Sequence, residues 1–315
     1  MPSIPTLSDI RDAHLKIRQF IHETPVLTSQ TINRLTGCEI FFKCENFQKA
    51  GAFKFRGATH AVLKLAADEA RKGVATHSSG NHAAALALAA SSRGIRCYVV
   101  MPSGAPETKI QAVKHYGAEI TFCEPTLEAR ESTLKQVVEK TKSVFIHPFD
   151  NYHVVCGQGT ATIELLNMVP DLDMVMAPVG GGGLLSGSSI AAKTIRPLIK
   201  VYGAEPKNAD DAYRSLKSGI RQPPLQPNTI ADGLLTALSD LTFAIITKYT
   251  DDIFTVAEAS IVDAMKLIWQ LMKIIVEPSS AVPLAVILEN REVFRGKKVG
   301  VILSGGNVDL SNLPF

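Results

Sequence analysis

A lysine in an apolar frame is the first feature of the sequence that could carry chemistry. Lys54 lies between Phe53 and Phe55 and next to Arg56 in the segment "AGAFKFRGATHAV". Apolar walls together with the Arg56 charge would favour the neutral amine, which is a nucleophile able to form a Schiff base. The alternative is that Lys54 begins a helix and extends past the phenylalanine rings into water. The segment alone leaves both interpretations open.

A run of four glycines could hold a phosphate group. In "APVGGGGLLSGSSIAA", Gly180–Gly183 follow an apolar run and precede a helical pattern, so the backbone could approach a phosphate and direct several amides at it. A dinucleotide site is the other interpretation, because Glu205 lies near the distance expected of a ribose ligand, but Ser186 breaks the strict GxGxxG pattern. A Walker loop also fails, since no Gly-Lys-Ser/Thr follows. The loop suits a small phosphorylated cofactor.

A second polar turn follows the predicted strand in "THSSGNHAAALALAA". Ser78, Ser79, Gly80, Asn81 and His82 precede an alanine-rich helix there. The free amides at such a helix start, together with the hydroxyls, could receive a carboxylate. The alternatives are that Ser79 or Asn81 is only a helix N-cap and that His82 is structural.

The segment "GVILSGGNVDL" also ends a predicted strand in a polar turn, with Ser304 at its tip. Alone it would be an ordinary turn. Ligands bind at the carboxyl ends of strands in open α/β sheets, so Ser304 could share a pocket with Lys54 and the glycine loop. A Schiff-base lysine, a phosphate site and a group facing a ring nitrogen are the three anchors that pyridoxal phosphate needs.

Short apolar runs alternate with helical patterns along almost the whole chain. Runs such as "EIFFKCE", "IRCYVVMP", "DMVMAPV" and "KVGVILSGG" are typical of strands buried on both faces. Their interleaving with helices predicts an α/β fold with parallel sheets. The pattern predicts that the first helix is capped by Ser8 and that a helical stretch covers 257–290. The Pro- and Gly-rich segment 218–233 predicts a functional or mobile loop.

Composition excludes several classes of function. Among 315 residues, 46% are hydrophobic and 20% are charged, as in a globular protein, and a net charge of +3 is too small to indicate nucleic-acid binding. The five cysteines are scattered and never in CxxC spacing, which predicts reduced thiols and a cytoplasmic protein. No signal peptide and no membrane-spanning segment is expected.

Nine segments resemble, in order, those of the fold-type II pyridoxal-phosphate enzymes, and among these the group of serine racemases and serine/threonine dehydratases. They are "HETPVLTSQTIN", "FFKCENFQKAGAFKFRGA", "HSSGNHAAAL", "GQGTATIELL", "PVGGGGLLSG", "AEPKNADDAY", "IADGL", "VEPSSAVPLA" and "LSGGNVDL". The resemblance implies a fold like that of the tryptophan synthase β subunit, with two domains that each contain a mostly parallel sheet flanked by helices. Residues 1–72 and 149–315 would form the large cofactor domain, and residues 73–148 a small mobile domain inserted in it.

The resemblance also implies roles for individual residues. Lys54 would carry pyridoxal phosphate and would be catalytic together with Ser79, which would face it across the substrate. Two opposed proton carriers are what racemisation requires. The implied cofactor contacts are Lys54, Phe53, Asn81, Gly180, Gly181, Gly182, Gly183, Leu184 and Ser304. The implied substrate contacts are Ser78, Ser79, Asn81, His82 and Arg130.

The implied activity is interconversion of L- and D-serine together with β-elimination of serine to pyruvate and ammonia. An alternative is a dehydratase that prefers L-threonine or threo-3-hydroxyaspartate, since both carry a leaving hydroxyl at the β-carbon. A third interpretation is a nucleotide-binding regulatory module without catalysis. Phe149 stands where animal serine racemases carry an asparagine, so elimination is expected to rival or exceed racemisation. The family implies small amino-acid substrates and a homodimer.

Two further sites follow from the resemblance. The segment "AEPKNADDAY", taken alone, is a capped, solvated turn. By resemblance it is a site for Mg²⁺, Ca²⁺ or Mn²⁺, with Glu205, the Ala209 carbonyl and Asp211 as hard oxygen ligands. Tyr116 and Asn307 match positions that contact a nucleotide in the family. ATP as an activator is left open, because Ala84 replaces a glutamine that helps bind it in the animal enzymes.

Overall fold

The strands form two separate sheets in the computed structural model, which describes residues 3–78 and 80–315. The strands are β1 (Val26–Leu27), β2 (Glu39–Cys44), β3 (Val74–His77), β4 (Cys97–Pro102), β5 (Glu119–Cys123), β6 (Val144–Phe145), β7 (Met174–Pro178), β8 (Lys200–Pro206), β9 (Asp252–Val256) and β10 (Lys298–Leu303). The larger sheet has the order β1-β2-β10-β7-β8-β9, and the smaller has the order β5-β4-β3-β6.

Helices connect and cover these strands. They are α1 (Leu7–Ile17), α2 (Gln30–Thr36), α3 (Lys54–Leu63), α4 (Ala67–Lys72), α5 (Asn81–Ser91), α6 (Glu107–His115), α7 (Leu127–Thr141), α8 (Tyr152–Met168), α9 (Gly183–Ile195), α10 (Asp211–Ser218), α11 (Asp240–Tyr249), α12 (Glu258–Leu267), α13 (Pro278–Glu289) and α14 (Arg291–Phe294). In the part of the chain that the structure describes, no helix has the length and apolar character needed to cross a membrane.

The predicted α/β architecture with two mostly parallel sheets is confirmed. All strand pairs are parallel except the short β1, which pairs antiparallel with β2. Parallel neighbours need crossover connections, and the helices supply them. The four strands of the smaller sheet are consecutive in the chain, so this sheet is inserted between β2 and β7 of the larger one.

Two helix boundaries differ from the sequence prediction. Thr6, and not Ser8, caps α1: the Thr6 hydroxyl accepts from the Asp9 amide at 3.4 Å, and the Asp9 carboxylate accepts from the Thr6 amide at 2.9 Å. This reciprocal pair is a capping box that begins two residues earlier than Ser8. The predicted helical stretch 257–290 is interrupted, because Lys273 takes a left-handed conformation (φ 58°) between α12 and α13.

Glycines allow α8 to pack closely against the two helices that border the site. A Cβ atom added at Gly157 would lie 2.6 Å from the Cα of Gly57 on α3, and one added at Gly159 would lie 2.7 Å from the carbonyl oxygen of Gly187 on α9. Side chains at these positions would separate the helices. Close packing on α8 therefore fixes the helix that begins with Lys54 relative to the helix that follows the glycine loop.

Candidate active site

One cavity of about 590 Å³ lies where the carboxyl ends of β3, β7 and β10 meet the start of α3. It contains most of the residues that the sequence predicted for the cofactor and substrate. Those lining it are Phe53, Lys54, Ser78, Asn81, His82, Arg130, Gly180, Gly181, Gly182, Gly183, Leu184 and Ser304. The second predicted catalytic residue, Ser79, lies outside the described residues.

The Lys54 side chain points into this cavity and not into bulk water. Its Nζ atom donates a hydrogen bond to the Pro148 carbonyl oxygen at 3.0 Å and lies 5.1 Å from the centroid of the Phe53 ring. Burial lowers the pKa of Lys54 to about 8, and the nearby Glu277 carboxylate opposes that shift. The amine is therefore largely available as a free base in mildly alkaline solution, as a Schiff-base lysine requires.

The lowered pKa gives a prediction for the cofactor-free protein. Between about pH 8 and the usual lysine pKa, the unfolded chain binds a proton at Lys54 that the folded protein has lost, so this residue's contribution to stability rises with pH. Below pH 8 the folded protein bears the cost of holding the partly buried amine in its charged form. The Lys54→Met variant should therefore melt at a higher temperature than the parent at pH 7, with a difference that shrinks towards pH 10. Equal melting temperatures at pH 7 would contradict the burial of this charge.

Arg56 does not face Lys54 as the sequence suggested. Its guanidinium is fully buried and forms ion pairs with Glu45 (Nε to Oε2, 2.7 Å) and Glu164 (Nη2 to Oε2, 2.6 Å). Lys43 adds a third ion pair, from its Nζ to Glu164 at 2.7 Å. Two cations and two carboxylates balance one another in this cluster. The Arg56 charge is thus neutralised by its neighbours, and burial alone lowers the Lys54 pKa.

The four glycines form a backbone cradle at the start of α9. Gly182 has a positive φ of 83°, which favours glycine, and a Cβ atom added at Gly181 would lie 2.3 Å from the Phe149 ring. Helix α9 begins at Gly183, and no side chain caps it. Its first amides therefore have no acceptor within the helix, and the start of the helix favours negative charge. This geometry fits the phosphate of pyridoxal phosphate.

Ser304 presents a neutral hydroxyl on the floor of the cavity. Its side chain is buried, and its Oγ atom lies 3.1 Å from the Oγ of Ser280 at the start of α13. The Ser304 carbonyl oxygen accepts from the Phe53 amide at 2.9 Å, which joins the end of β10 to the segment that carries Lys54. A hydroxyl can donate to an unprotonated ring nitrogen. The residue type and position therefore fit the pyridine end of the cofactor.

Asn81 connects α5 to the residues that precede α13 and follow β10 through its side chain. It is the first residue of α5, whose N-cap is Gly80, so the capping alternative does not describe it. Its Nδ2 atom lies 3.0 Å from both carboxylate oxygens of Glu277, and its Oδ1 accepts from Asn307 at 2.9 Å. The amide is therefore held in one orientation beside the cavity.

Glu277 is a site residue that the sequence reasoning missed. Its carboxylate is 4% exposed, and burial, followed by the Asp232 carboxylate, raises its pKa to about 7. It lies in "VEPSSAVPLA", one of the segments that carried the family resemblance, but its partner Asn81 is 196 positions away in the chain. An acidic residue before a proline gives no sign of such a contact.

The remaining predicted substrate residues occupy different parts of the cavity wall. The Ser78 hydroxyl accepts from the Gly80 amide at 3.3 Å. His82 is buried, its Nε2 atom lies 3.1 Å from the Ile146 carbonyl oxygen, and burial holds its pKa well below the usual range. The neutral ring therefore donates to the backbone, which matches the structural alternative for His82. Arg130 lies on α7 at the outer wall.

A second cavity, of about 440 Å³, adjoins the first. Tyr116 and Asn307, the two predicted nucleotide residues, both line it, as does Ala84. Asn81 and Lys109 line both cavities. The two sites are thus separated by a wall of only a few side chains.

The acidic loop, residues 205–211, runs from the end of β8 to the first residue of α10 and has both of its predicted carboxylates in buried positions. Glu205 accepts hydrogen bonds from the Ala212 amide (3.0 Å) and the Tyr213 amide (2.8 Å), so it caps α10 as the alternative interpretation proposed. Asp211 is 1% exposed, and neither of its carboxylate oxygens has a hydrogen-bond partner within the described residues. Burial raises its pKa to about 6. No cluster of three or more His, Cys, Asp or Glu side chains arranged for a metal occurs within residues 3–78 and 80–315.

A partly buried lysine, a glycine cradle and a neutral hydroxyl around one cavity define an enzyme site for a small phosphorylated aldehyde cofactor. The family model described as pyridoxal-phosphate dependent enzyme matches residues 17–305. The chain belongs to this family, which confirms the predicted class of enzyme and its cofactor.

Characterised relatives match the chain over nearly its full length. It is 55% identical to a serine racemase from Dictyostelium discoideum over 98% of this chain and 96% of the relative. It is 53% identical to a β-hydroxyaspartate dehydratase from Paracoccus denitrificans over 99% of each chain. The fold matches the crystal structure of the Dictyostelium discoideum enzyme with a TM-score of 0.93, over 97% of this chain and 99% of that one.

Proposed function

We propose that this enzyme interconverts L- and D-serine and also converts serine to pyruvate and ammonia by β-elimination. The observation that carries the proposal is the Lys54 amine, which is held 3.0 Å from the Pro148 carbonyl oxygen in a cavity lined by the Gly180–Gly183 cradle. When bound, pyridoxal phosphate withdraws the electron pair that is left at the substrate α-carbon.

The side chains around the cavity divide the remaining tasks. The Lys54 amine, with a pKa of about 8, takes the α-proton from one face of L-serine. Ser78, which precedes α5, and Asn81, the first residue of α5, receive the substrate carboxylate. Ser79 delivers a proton to the opposite face, which gives D-serine. If the β-hydroxyl instead leaves as water, with the proton that Lys54 took, the released enamine is hydrolysed to pyruvate and ammonia. Both reactions therefore share the first proton transfer.

Paired measurements on one preparation test this function. The protein is incubated with L-serine or D-serine, and pyruvate release and the serine enantiomers are quantified together. Formation of the opposite enantiomer from each substrate, with pyruvate, is expected. Bound pyridoxal phosphate without either product would contradict the proposal and leave the dehydratase of another hydroxyamino acid or the regulatory module.

A dehydratase that prefers threo-3-hydroxyaspartate or L-threonine is the second candidate. The 53% identity to a β-hydroxyaspartate dehydratase supports it. Arg130 and Arg221 also line the cavity, and their charges would attract the second carboxylate of hydroxyaspartate. Comparison of kcat/KM for these two substrates with that for L-serine distinguishes the candidates.

We further propose that residues 73–148 close over the cavity as a small domain of a cytoplasmic homodimer. An ion pair between Lys109 on α6 and Asp232 connects this region to the rest of the chain.

We also propose that ATP binds the cavity lined by Tyr116 and Asn307. Asn307 donates to Asn81 at 2.9 Å, which gives a bound nucleotide a direct contact path to the active site. Titration of turnover with ATP tests this site.

The acidic loop is proposed to bind Mg²⁺, Ca²⁺ or Mn²⁺ through Glu205, the Ala209 carbonyl and Asp211. Because burial raises the Asp211 pKa, the folded protein binds more protons than the unfolded chain between about pH 4 and pH 6, and the contribution of Asp211 to stability falls with pH over that window. Above it, the carboxylate lacks a partner that a cation would supply. EDTA should therefore lower the melting temperature at pH 7.5, and Mg²⁺ should restore it.

Thermal unfolding with and without cation measures this effect. An ion at about 100 times its Kd stabilises by roughly 2.7 kcal/mol. The Asp211→Asn variant should lose the response, while Asp210→Asn, whose carboxylate pairs with Arg214 at 2.8 Å, should keep it. A melting curve that exhaustive chelation leaves unchanged would show that this stretch is only a capped turn.

A further inference from the structure

The turn formed by residues 147–150 joins β6 of the smaller sheet to α8 of the larger unit. The amides of Phe149 and Asp150 both donate to the Nδ1 atom of His147, at 3.3 and 2.9 Å. Nδ1 must be unprotonated to accept them. Burial lowers the pKa of His147 to about 4, so the neutral ring is the form present near neutral pH.

This turn makes two contacts with the proposed cofactor site. The Pro148 carbonyl oxygen accepts from the Lys54 amine at 3.0 Å. The Phe149 ring fills the space above Gly181, where an added Cβ atom would lie 2.3 Å from a ring carbon. Its ring centroid also lies 4.5 Å from that of His147, with the ring planes at 88°. The turn therefore borders both the lysine and the phosphate cradle.

The flanking residues are fixed independently of the turn. His82 bonds the Ile146 carbonyl oxygen at 3.1 Å on one side. On the other side, the Asn151 side chain caps α8 by accepting from the Val154 amide at 3.0 Å. Between these anchors, the His147 ring supplies the acceptor for the amides of the turn. A side chain without an acceptor would leave both amides without this partner and free the Pro148 carbonyl to rotate.

We propose that His147 is a positioning residue, whose Nδ1 atom shapes the turn that directs the Pro148 carbonyl at Lys54 and places the Phe149 ring against the glycine cradle. Its effect on turnover rests on the proposed function, whereas its effect on the backbone of the turn does not.

Asparagine and leucine at position 147 form a matched pair. In asparagine the Oδ1 atom is separated from Cα by the same number of bonds as the histidine Nδ1, so His147→Asn retains an acceptor for the two amides. Leucine has the same branching without an acceptor. Hydrogen exchange of the Phe149 and Asp150 amides is measured in cofactor-free protein, and kcat and KM for L-serine are measured in the holoenzyme.

His147→Leu is expected to speed amide exchange by about tenfold or more, since each lost hydrogen bond contributes about 1 kcal/mol. It should lower kcat by about ten- to a hundredfold, because small misplacements of a reacting group have effects of that size, and KM should stay within about twofold. His147→Asn should stay within about threefold of the parent in both measurements. If His147 only stabilised the fold, His147→Leu would lower the free energy of unfolding without a selective fall in kcat at unchanged KM.

Two results would overturn the proposal. One is parent-like exchange and kcat in His147→Leu. The other is a kcat in His147→Asn as low as that of His147→Leu while the amides remain protected, because the ring would then act on the substrate directly. If the leucine variant does not fold, His147→Ala replaces it in the same comparison. A parent protein without serine turnover would refute the proposed function, and the exchange data would still decide the role of His147 in the turn.

Discussion

The Lys54→Ala variant is expected to lose turnover of both serine enantiomers by more than about ten-thousandfold, because the residue acts as both proton carrier and covalent anchor. No other lysine in the described chain lines the cavity at the glycine cradle; Lys109 lies on α6 at the wall shared with the second cavity. Steady-state assays of pyruvate and of the serine enantiomers measure the loss. Borohydride reduction of the parent followed by mass spectrometry should locate the cofactor on the peptide that contains Lys54.

Lys64→Ala is the matched control. Lys64 follows the last residue of the same helix, and its Nζ atom lies 3.8 Å from Asp12 in a partly exposed ion pair. Such a pair contributes little, so activity and labelling should remain close to those of the parent. Activity retained by Lys54→Ala with bound pyridoxal phosphate, or labelling of another lysine, would refute the assigned chemistry.

The Ser79→Ala variant should separate racemisation from elimination. Lys54 alone can still take the α-proton of L-serine, so part of the pyruvate formation from L-serine should remain. Proton delivery to the opposite face should fail, and D-serine formation should fall by about a hundredfold to ten-thousandfold, the usual contribution of a positioned acid or base. Dehydration of D-serine should fall with it, since that reaction begins on the Ser79 face.

Ser78→Ala provides the contrast for this experiment. Ser78 is proposed to bind the substrate carboxylate, so its loss should raise KM and weaken both reactions of L-serine in proportion. Both variants are assayed for pyruvate and for chiral serine on the same preparations. Persistent racemisation in Ser79→Ala together with lost elimination of L-serine would show that Ser79 positions the carboxylate and that another group carries the proton.

Local patterns were sufficient to predict the α/β fold and to select candidate cofactor residues that line one cavity in the structure. Unbroken apolar runs between helical segments predicted parallel sheets. Strands that are buried on both faces carry apolar residues at successive positions and do not alternate between polar and apolar residues. Glycine runs at the ends of predicted strands indicated the cradle at Gly180–Gly183, since only glycine allows such close approach of the backbone. Lys54 was selected as a candidate because an amine between two phenylalanines fits poorly in water, although the segment alone left its role open. Each of these patterns is contained in a short continuous stretch of the sequence.

Local patterns were less reliable for helix ends. Thr6 and Ser8 are both good capping residues, and only the backbone geometry selected Thr6. The stretch 257–290 is rich in apolar residues on both sides of Lys273, so its periodicity did not indicate the interruption there.

The sequence by itself thus determined the α/β architecture, and it predicted that Lys54, Gly180–Gly183 and Ser304 share one pocket, which they line in the structure. Only the tertiary structure decided which charges meet. It placed Arg56 in a buried cluster away from Lys54, and it brought Glu277 to Asn81 across 196 positions of the chain. The physical reason is that hydrogen bonds and ion pairs require atoms within about 3 Å, and the packing of whole helices and sheets sets such distances between residues far apart in the sequence.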